Sequence, residues 1–282
     1  MEYFTLNTGA LMPVLGLGTS NILGKDAEEA VITAVQYGYR HIDTASSYLN
    51  EKAVGRGIAR CGVPREDLFI TVKVWPSDYT RVEKAVEGSF RRLGIDYADM
   101  LIVHHPVGDY YACWQSFEKL VKEGKARALG LSNFSKEQIA GFIERFEVKP
   151  ALVTVESQPY CPQNELREYL KENGIVMEAW YPLGHGDSRL LEEPVVLKLA
   201  EKYGKSPVQI ILRWHVQTGN SVLPGSKTPA HIRDNIDIFD FELSAEDMAE
   251  MAKLDTGTLY KVFTDEMRQR YLRWEPDWDD QE

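Results

Sequence analysis

Hydrophobic and polar positions along the chain follow two alternating periods. Short apolar runs, bounded by turn residues and typical of buried strands, recur eight times. They are VLGLGT (14–19), YRHIDT (39–44), LFITVKV (68–74), DMLIVHH (99–105), ARALGLS (126–132), ALVTVES (151–157), GIVMEAW (174–180) and NSVLPGS (220–226). The pattern therefore predicts eight strands between residues 14 and 226.

Helical periodicity occupies most of the intervals between these runs. Six segments have apolar residues three and four apart, Ser or an acidic first turn at the start, and in most cases Gly at the end. They are residues 26–38, 81–94, 110–124, 135–146, 163–174 and 206–219. Strands and helices that alternate about every 30 residues predict parallel βα units closed into a (β/α)₈ TIM barrel, an α/β fold.

An open doubly wound sheet is the competing architecture. Its usual dinucleotide signature, G-x-G-x-x-G after the first strand, is absent, because GLGTSNILG offers only G-x-G. The stretch 3–16 predicts a short N-terminal β-hairpin that turns at residues 7–9 and plugs one end of the barrel. We expect a single barrel domain over 1–282, with a C-terminal substrate loop at about 256–282 that ends in a mobile, aromatic and acidic tail.

Composition narrows the class of partner. The chain has 282 residues, 44% hydrophobic and 27% charged, which is ordinary for a globular domain. A net charge of -11 disfavours nucleic acid and anionic membranes as main partners. Three cysteines without C-x-x-C spacing, no signal-peptide pattern and no long apolar run predict a soluble cytoplasmic protein.

Four polar groups stand at or just past the ends of predicted strands, where βα barrels carry their functional side chains. Asp43 ends the second strand and Tyr48 follows it; Lys73 and His104 end the third and fourth strands. Each alone has an ordinary structural interpretation, as a cap, a surface aromatic, a snorkelling lysine or a core histidine. Strand alternation places His105 on the face opposite His104, so one metal ion is not expected to bind both.

Together the four groups suit proton transfer to an oxygen. A tyrosine with a pKa near ~10 is a weak acid at neutral pH, and an adjacent ammonium lowers that pKa. Asp43 would hold Lys73 charged, and His104 would orient a substrate oxygen beside the Tyr48 phenol. This chemistry predicts carbonyl reduction by hydride transfer from a cofactor. A metal-dependent barrel hydrolase is disfavoured by the inward lysine and the lack of a ligand cluster.

Seven motifs carry a close resemblance to one family. They are GYRHIDTASSY (38–48), NEKAVGRGI (50–58), LFITVKVW (68–75), ADMLIVHHP (98–106), ALGLSNF (128–134), AWYPLG (179–184) and PGSKTPAHIRDN (224–235). Over residues 3–255 the chain resembles the aldo-keto reductase family, in particular bacterial diketogulonate reductase-like members. The resemblance implies a barrel that reduces aldehydes and ketones with NADPH. It also implies Tyr48 as general acid, Lys73 and Asp43 as its tuning pair, and His104 as the substrate orienter.

The resemblance also assigns cofactor positions. Ser132 and Asn133 match the pair that holds the nicotinamide carboxamide, Thr154 stands where Gln is usual, and Trp180 replaces the usual stacking Tyr. The whole assigned set is Gly18, Thr19, Asp43, Ser132, Asn133, Thr154, Trp180, Tyr181, Leu183, Gly184, Gly225, Ser226, Lys227, Thr228, His231, Asp234 and Asn235.

Two positions depart from the family pattern at the adenosine end. Gly225 replaces a phosphate-binding Lys, and His231 replaces an Arg that pairs with the 2′-phosphate, which removes a bidentate ligand. Lys227, Arg233 and the helix start after Pro229 are the candidates to compensate. NADPH is the first expectation, NADH remains an alternative, and no metal is expected.

The substrate pocket is predicted to include Ser20, Trp75, His105 and Trp274. Ser20 and His105 stand where the family often has aromatic residues, so the pocket should be more open or more polar. Trp274 and Trp278 either close it or pack against the barrel. The expected partner is a small carbonyl compound, and the resemblance suggests a monomer. A nicotinamide-cofactor-sensing binding module with little turnover is the alternative function.

Overall fold

The computed structural model describes residues 1–282 and contains ten strands in two sheets. Strands β1 (Tyr3–Thr5) and β2 (Leu11–Pro13) form the antiparallel N-terminal hairpin. The larger sheet consists of β3 (Leu17–Gly18), β4 (His41–Ala45), β5 (Phe69–Val74), β6 (Ala98–Val103), β7 (Ala126–Ser132), β8 (Leu152–Glu156), β9 (Val176–Trp180) and β10 (Ser221–Val222). All eight predicted strands are present, and the first and last are much shorter than predicted.

The larger sheet is entirely parallel and runs in sequence order from β3 to β10. A parallel bridge between Leu15 and Val222 joins its two edges, and the Gly16 N–H donates to the Val222 carbonyl at 2.9 Å. At this seam a Cβ on Gly16 would lie only 2.7 Å from His41 Nδ1, so the close approach requires glycine. The predicted (β/α)₈ barrel with an N-terminal hairpin is confirmed.

Twelve helices surround the sheet. They are α1 (Gly24–Gln36), α2 (Glu51–Arg60), α3 (Val82–Leu93), α4 (Tyr110–Lys122), α5 (Lys136–Arg145), α6 (Asn164–Glu172), α7 (Ser188–Leu191), α8 (Pro194–Tyr203), α9 (Pro207–Gln217), α10 (Pro229–Ile236), α11 (Ala245–Ala252) and α12 (Asp265–Arg273). Capping boxes at Ser135 and Ser206 begin α5 and α9, as the serine signals predicted. None of the helices combines the length and apolar character that crossing a bilayer requires.

Helix α2 was not predicted, because two glycines interrupt its pattern. A Cβ on Gly55 would lie 2.6 Å from the Leu93 carbonyl oxygen at the end of α3. Gly57 is equally tight against Val31 of α1, at 2.7 Å. The glycines, which are weak helix formers, therefore allow α2 to pack closely between its neighbours.

Alternation along β5 places its side chains on two faces, as predicted. Ile70 belongs, with Val72 and Val74, to the main core between strands and helices. Phe69 points to the barrel interior, where it packs with Leu6 and Met12 of the hairpin region. The hairpin therefore closes the end of the barrel opposite the strands' C-terminal ends.

The residues after α12 do not form the free, mobile tail that we predicted. Asp279 accepts hydrogen bonds from Arg91 and Arg92 of α3, the shortest at 2.6 Å. Gln281 accepts from the backbone N–H of Lys52 at 3.1 Å. The acidic residues that suggested a solvated tail instead bind the basic residues of α2 and α3.

Candidate active site

A buried ion pair forms the base of the site. Strands β4 and β5 pair with Ala45 opposite Lys73. Asp43 lies two residues before Ala45, on the same face of the sheet, so Asp43 and Lys73 both point inward. The Lys73 ammonium donates to the Asp43 carboxylate, and only 4% and 3% of the two side chains are exposed. Lys73 Nζ also donates to the Tyr48 hydroxyl at 3.2 Å. A short 3₁₀ turn, Ser46–Tyr48, directly after β4 brings this tyrosine back over the lysine.

The pKa shifts in this group follow from burial and from the ion pair. Burial alone would lower the pKa of Lys73, but the charge of Asp43 reverses this and the pKa is raised. Burial raises the pKa of Asp43, and the ammonium opposes that shift. Burial also raises the pKa of Tyr48 and outweighs the opposing effect of Lys73. The ammonium lowers the phenol pKa as predicted, but burial outweighs it, and Tyr48 keeps its proton at neutral pH.

His104 and His105 lie side by side, contrary to the predicted alternation. Their rings stack with centroids 4.6 Å apart and planes at 7°. Strand β6 ends at Val103, so the alternation that applies within a strand no longer separates them. The prediction that the two histidines face opposite sides, and so cannot share a metal ion, is therefore wrong. The chain nevertheless contains no group of three or more His, Cys, Asp or Glu arranged to hold a metal.

Both histidines are neutral at physiological pH. Burial and the neighbouring His105 hold the pKa of His104 well below its usual range, and burial lowers the pKa of His105 to about 3. The His104 ring stands edge-on to Tyr48, with centroids 5.8 Å apart, and its Nδ1 lies 3.4 Å from Ser47 Oγ. A neutral imidazole that can donate one hydrogen bond therefore stands beside the phenol.

A cluster of amide and hydroxyl groups with one indole lies next to the histidines. Asn133 Nδ2 donates to Ser132 Oγ at 2.9 Å, and Trp180 Nε1 donates to Asn133 Oδ1 at 2.9 Å. Thr154 is opposite Ser132 in the β7–β8 register. Asn133 has a φ of 67°, and its Nδ2 lies 3.3 Å from His105 Nδ1. The strand ends thus present hydrogen-bonding groups beside an aromatic ring.

A cavity of about 1440 Å³ joins these groups into one groove. It is lined by the four groups Asp43, Tyr48, Lys73 and His104 and by most of the assigned cofactor positions. Those lining it are Gly18, Ser132, Asn133, Thr154, Trp180, Tyr181, Leu183, Gly225, Ser226 and Lys227. The assigned positions outside its lining are Thr19, Gly184, Thr228, His231, Asp234 and Asn235.

The far end of the groove explains one departure from the family pattern. A Cβ on Gly225 would lie 2.9 Å from the Gly18 carbonyl oxygen, so the loop after β10 packs directly on the loop after β3. The two cations expected to compensate are both paired and exposed. Lys227 binds Asp26 at 2.9 Å, and Arg233 binds Asp234 at 2.9 Å.

The near end of the groove is aromatic, and all four predicted substrate residues line it: Ser20, Trp75, His105 and Trp274. Trp75 packs edge-on against Trp274, with centroids 5.2 Å apart, and its Nε1 donates to the Tyr271 carbonyl at 3.0 Å. Trp278 packs behind Trp274, at 5.3 Å, and does not line the cavity. Trp274 therefore lines the groove, and Trp278 packs against it.

The residues that attach the C-terminal segment to the site were not predicted from the sequence. Buried Glu156 accepts from the backbone N–H groups of Tyr260 and Lys261, at 2.6 and 2.9 Å. Tyr260 also donates its hydroxyl to Asp187 at 2.8 Å and lies across Gly184. The only signal for Glu156 was a carboxylate at the end of an otherwise apolar strand.

Asn50 was missed as well, although it lies in a quoted motif. It is fully buried, and its Nδ2 donates to the carbonyls of Thr19 and Ile22 at 2.8 and 2.7 Å. Thr19 itself donates to the Asp43 carbonyl at 2.9 Å. Asn50 therefore fixes the loop after β3, whose Thr19 is bound to β4.

The chain belongs to the aldo/keto reductase family, whose family model matches residues 14–256. It is therefore an oxidoreductase of the carbonyl-reducing class, as the sequence predicted. An aldo-keto reductase of Mycolicibacterium smegmatis is 45% identical over 258 residues, which are 90% of this chain and 93% of that protein. A glyoxal reductase of Bacillus subtilis is 45% identical over 254 residues, which are 89% of this chain and 91% of that protein.

A solved structure shows the same architecture. An aldo-keto reductase of Bombyx mori in complex with NADP superimposes with a TM-score of 0.87 at 33% identity. The match covers 92% of this chain and 94% of that one. Family and fold thus agree with the barrel and with the groove described above.

Proposed function

We propose that this protein reduces aldehydes or ketones to alcohols with a reduced nicotinamide dinucleotide, and that Tyr48 is the general acid. The observation that carries the proposal is the contact of the Tyr48 hydroxyl with Lys73 at 3.2 Å, where the ammonium is itself held by Asp43. An inward lysine needs a reason to be buried, and this arrangement supplies one. The NADP complex of the Bombyx mori relative supports the choice of cofactor.

The groove suits a nicotinamide in its chemistry. Ser132, Asn133 and Thr154 offer hydroxyl and amide groups to a carboxamide, and half-buried Trp180 offers an aromatic face to the ring. Reduced nicotinamide would supply the hydride there. The protein's own residues would bind the cofactor, orient the carbonyl and move the proton.

The carbonyl oxygen would lie between the Tyr48 hydroxyl and the His104 imidazole. His104 is neutral and donates one hydrogen bond that fixes the oxygen. As hydride reaches the carbonyl carbon, the C=O π electrons move to oxygen and Tyr48 O–H gives that oxygen its proton. The resulting phenolate is stabilised by the Lys73 ammonium until solvent returns a proton.

NADPH is the proposed cofactor, with NADH as a second substrate. Lys227 at the groove supports phosphate binding, and the Pro229 start of α10 presents backbone N–H groups. The ion pairs of Lys227 and Arg233 with carboxylates weaken that support, because a phosphate must compete with Asp26 and Asp234. We therefore expect a modest preference for NADPH.

One experiment tests this function against cofactor sensing without turnover. Purified protein is titrated with NADPH and NADH while tryptophan fluorescence is followed, and glyoxal, aromatic aldehydes and ketones are then added while nicotinamide absorbance is recorded. Binding with turnover is the expected result. Tight binding without turnover on the whole panel would favour the sensing module. Failure to bind either nucleotide would refute both functions.

A further inference from the structure

Two cations without a carboxylate partner line the substrate end of the groove. Lys73 and Lys227, the other lysines of the lining, form ion pairs, whereas Lys261 and Arg270 have no carboxylate oxygen within 4.0 Å. The protein carries a net charge of -11, so most of its cations have acidic neighbours available. Unpaired cations at a concave site raise the local concentration of anions.

Lys261 lies close to the proposed reaction centre. Its Nζ is 5.2 Å from the centroid of the Phe263 ring and 5.8 Å from that of Trp180. The Phe263 ring is in turn 5.3 Å from His105, whose ring stacks on His104. The ammonium therefore stands one ring away from the paired histidines.

Both cations are attached to fixed parts of the C-terminal segment. The backbone N–H of Lys261 donates to buried Glu156. Arg270 precedes Tyr271, whose ring lies 4.6 Å from His105 and whose carbonyl accepts from Trp75. Both Glu156 oxygens accept backbone N–H groups, and neither lies within 4.0 Å of the Lys261 ammonium.

The wall between these cations and Tyr48 carries no charge. It consists of the neutral imidazoles of His104 and His105 and of the rings of Phe263 and Tyr271. Of the lining acidic residues, Asp43 is bound to Lys73. Asp280 and Glu282 belong to the tail, and Glu282 lies at Gly24, the first residue of α1. A ligand that fits this surface has a flat or apolar middle and an anionic end.

We propose that the physiological substrate is a carbonyl compound that bears a carboxylate. Its carbonyl lies at Tyr48 and His104, and its carboxylate binds Lys261 and Arg270. The assignment rests on the proposed function, because it places the reacting group at the same tyrosine. Glyoxal, a small neutral dialdehyde, would lack the anionic contact.

Two matched aldehydes test the assignment. 4-Carboxybenzaldehyde carries the anion, and methyl 4-formylbenzoate is its neutral counterpart. We expect a lower KM for the acid in the native protein. Lys261→Gln and Arg270→Gln should each raise that KM roughly ten-fold, the usual size of a charge-assisted contact, and change the ester's KM less than about two-fold. Lys261→Arg should retain most of the preference.

Arg268→Gln is the matched control, because Arg268 is exposed on α12, pairs with Asp265 and does not line the cavity. A rise in the KM of NADPH instead of the acid would assign the cations to the cofactor and overturn the proposal. Equal rises for acid and ester would also overturn it.

A binding assay separates this proposal from the proposed function. The product alcohol, 4-(hydroxymethyl)benzoate, is titrated into the native protein and the Lys261→Gln/Arg270→Gln variant with tryptophan fluorescence as the signal. Roughly ten-fold or greater weakening in the variant supports the carboxylate site even in a protein without turnover. Equal affinities overturn the site, while carbonyl turnover would still stand.

Discussion

The barrel end of the site and the C-terminal segment are built in different ways. Asp43, Lys73 and His104 come from or directly follow strands whose register fixes their positions, and they are buried. Residues 256–282 are attached by a pair of hydrogen bonds to Glu156, by a small aromatic cluster around Trp75, and by partly exposed ion pairs such as that of Asp279. The comparison teaches that the buried barrel end holds the proposed proton-transfer groups, while the attached segment contributes the residues proposed to bind substrate.

The largest effect is expected for Lys73→Met, which removes the buried ion pair with Asp43 at the barrel end of the site. The change leaves Asp43 buried without a counter-charge, which should cost about 3–5 kcal/mol of the free energy of unfolding. Loss of the ammonium beside Tyr48 should lower kcat roughly 10²–10⁴-fold. Urea unfolding and steady-state kinetics measure the two effects.

Lys227→Met is the control for this change, since it breaks an exposed ion pair and should alter stability by less than about 1 kcal/mol. Equal effects of the two substitutions would contradict the distinction between buried and exposed pairs.

Acid should remove the stability that His215 contributes to the barrel. Burial lowers the pKa of His215 to about 3, below the ~6.5 of an unfolded histidine. The unfolded state therefore binds more protons at this residue below pH 6.5, so its contribution is full above that pH and is lost progressively down to about pH 3. At pH 5 His215 should cost about 2 kcal/mol relative to pH 7. Urea unfolding at pH 7 and pH 5 measures the effect in the native protein and in His215→Asn. If the free energy of unfolding fell by the same amount between the two pH values in both proteins, the assignment to His215 would be contradicted.

Weakening the attachment of residues 256–282 to the barrel should mainly change substrate binding. Glu156→Gln removes the charged acceptor of two backbone N–H groups at the start of the segment, and we expect the substrate KM to rise roughly ten-fold. The kcat value should change less than about three-fold, because the groups that move the proton are untouched. Hydrogen exchange should accelerate over residues 256–263.

Glu165→Gln, an exposed residue on α6, serves as the control for the substitution at Glu156. If the kcat value of Glu156→Gln fell as steeply as that of Lys73→Met, the two regions would not be separable.

The smallest effect is expected at the tail. Asp279→Asn weakens half-exposed ion pairs with Arg91 and Arg92, so solvent already screens much of the interaction. Faster hydrogen exchange at residues 277–282 is the expected result, with changes in kcat and KM below about two-fold. A large loss of activity would show that the tail does more than cover the groove.

The barrel end of the site could be predicted from the sequence better than residues 256–282, for a physical reason. Asp43 and Lys73 lie within paired strands, where the period of two fixes the side on which a residue lies, and His104 directly follows β6. Residues 256–282 have no such period, and the backbone N–H of Lys261 donates to the Glu156 carboxylate. Their contact depends on tertiary folding alone.

One further error has the same origin. The alternation rule was applied to His105 beyond the last residue of β6, where the backbone no longer follows it. The effect of Lys73 on the pKa of Tyr48 could be predicted, but the net shift also depends on how deeply the phenol is buried, and neighbouring residue types do not give that depth.

The most direct test of the central claim is a single-turnover measurement on Tyr48→Phe. Enzyme saturated with NADPH is mixed with a neutral aromatic aldehyde, and loss of nicotinamide absorbance gives the rate of hydride transfer; tryptophan fluorescence gives cofactor affinity. We predict an affinity within about three-fold of the native protein and a rate at least roughly 100-fold lower. An unchanged rate with intact cofactor binding would contradict the assignment of Tyr48 as the proton donor.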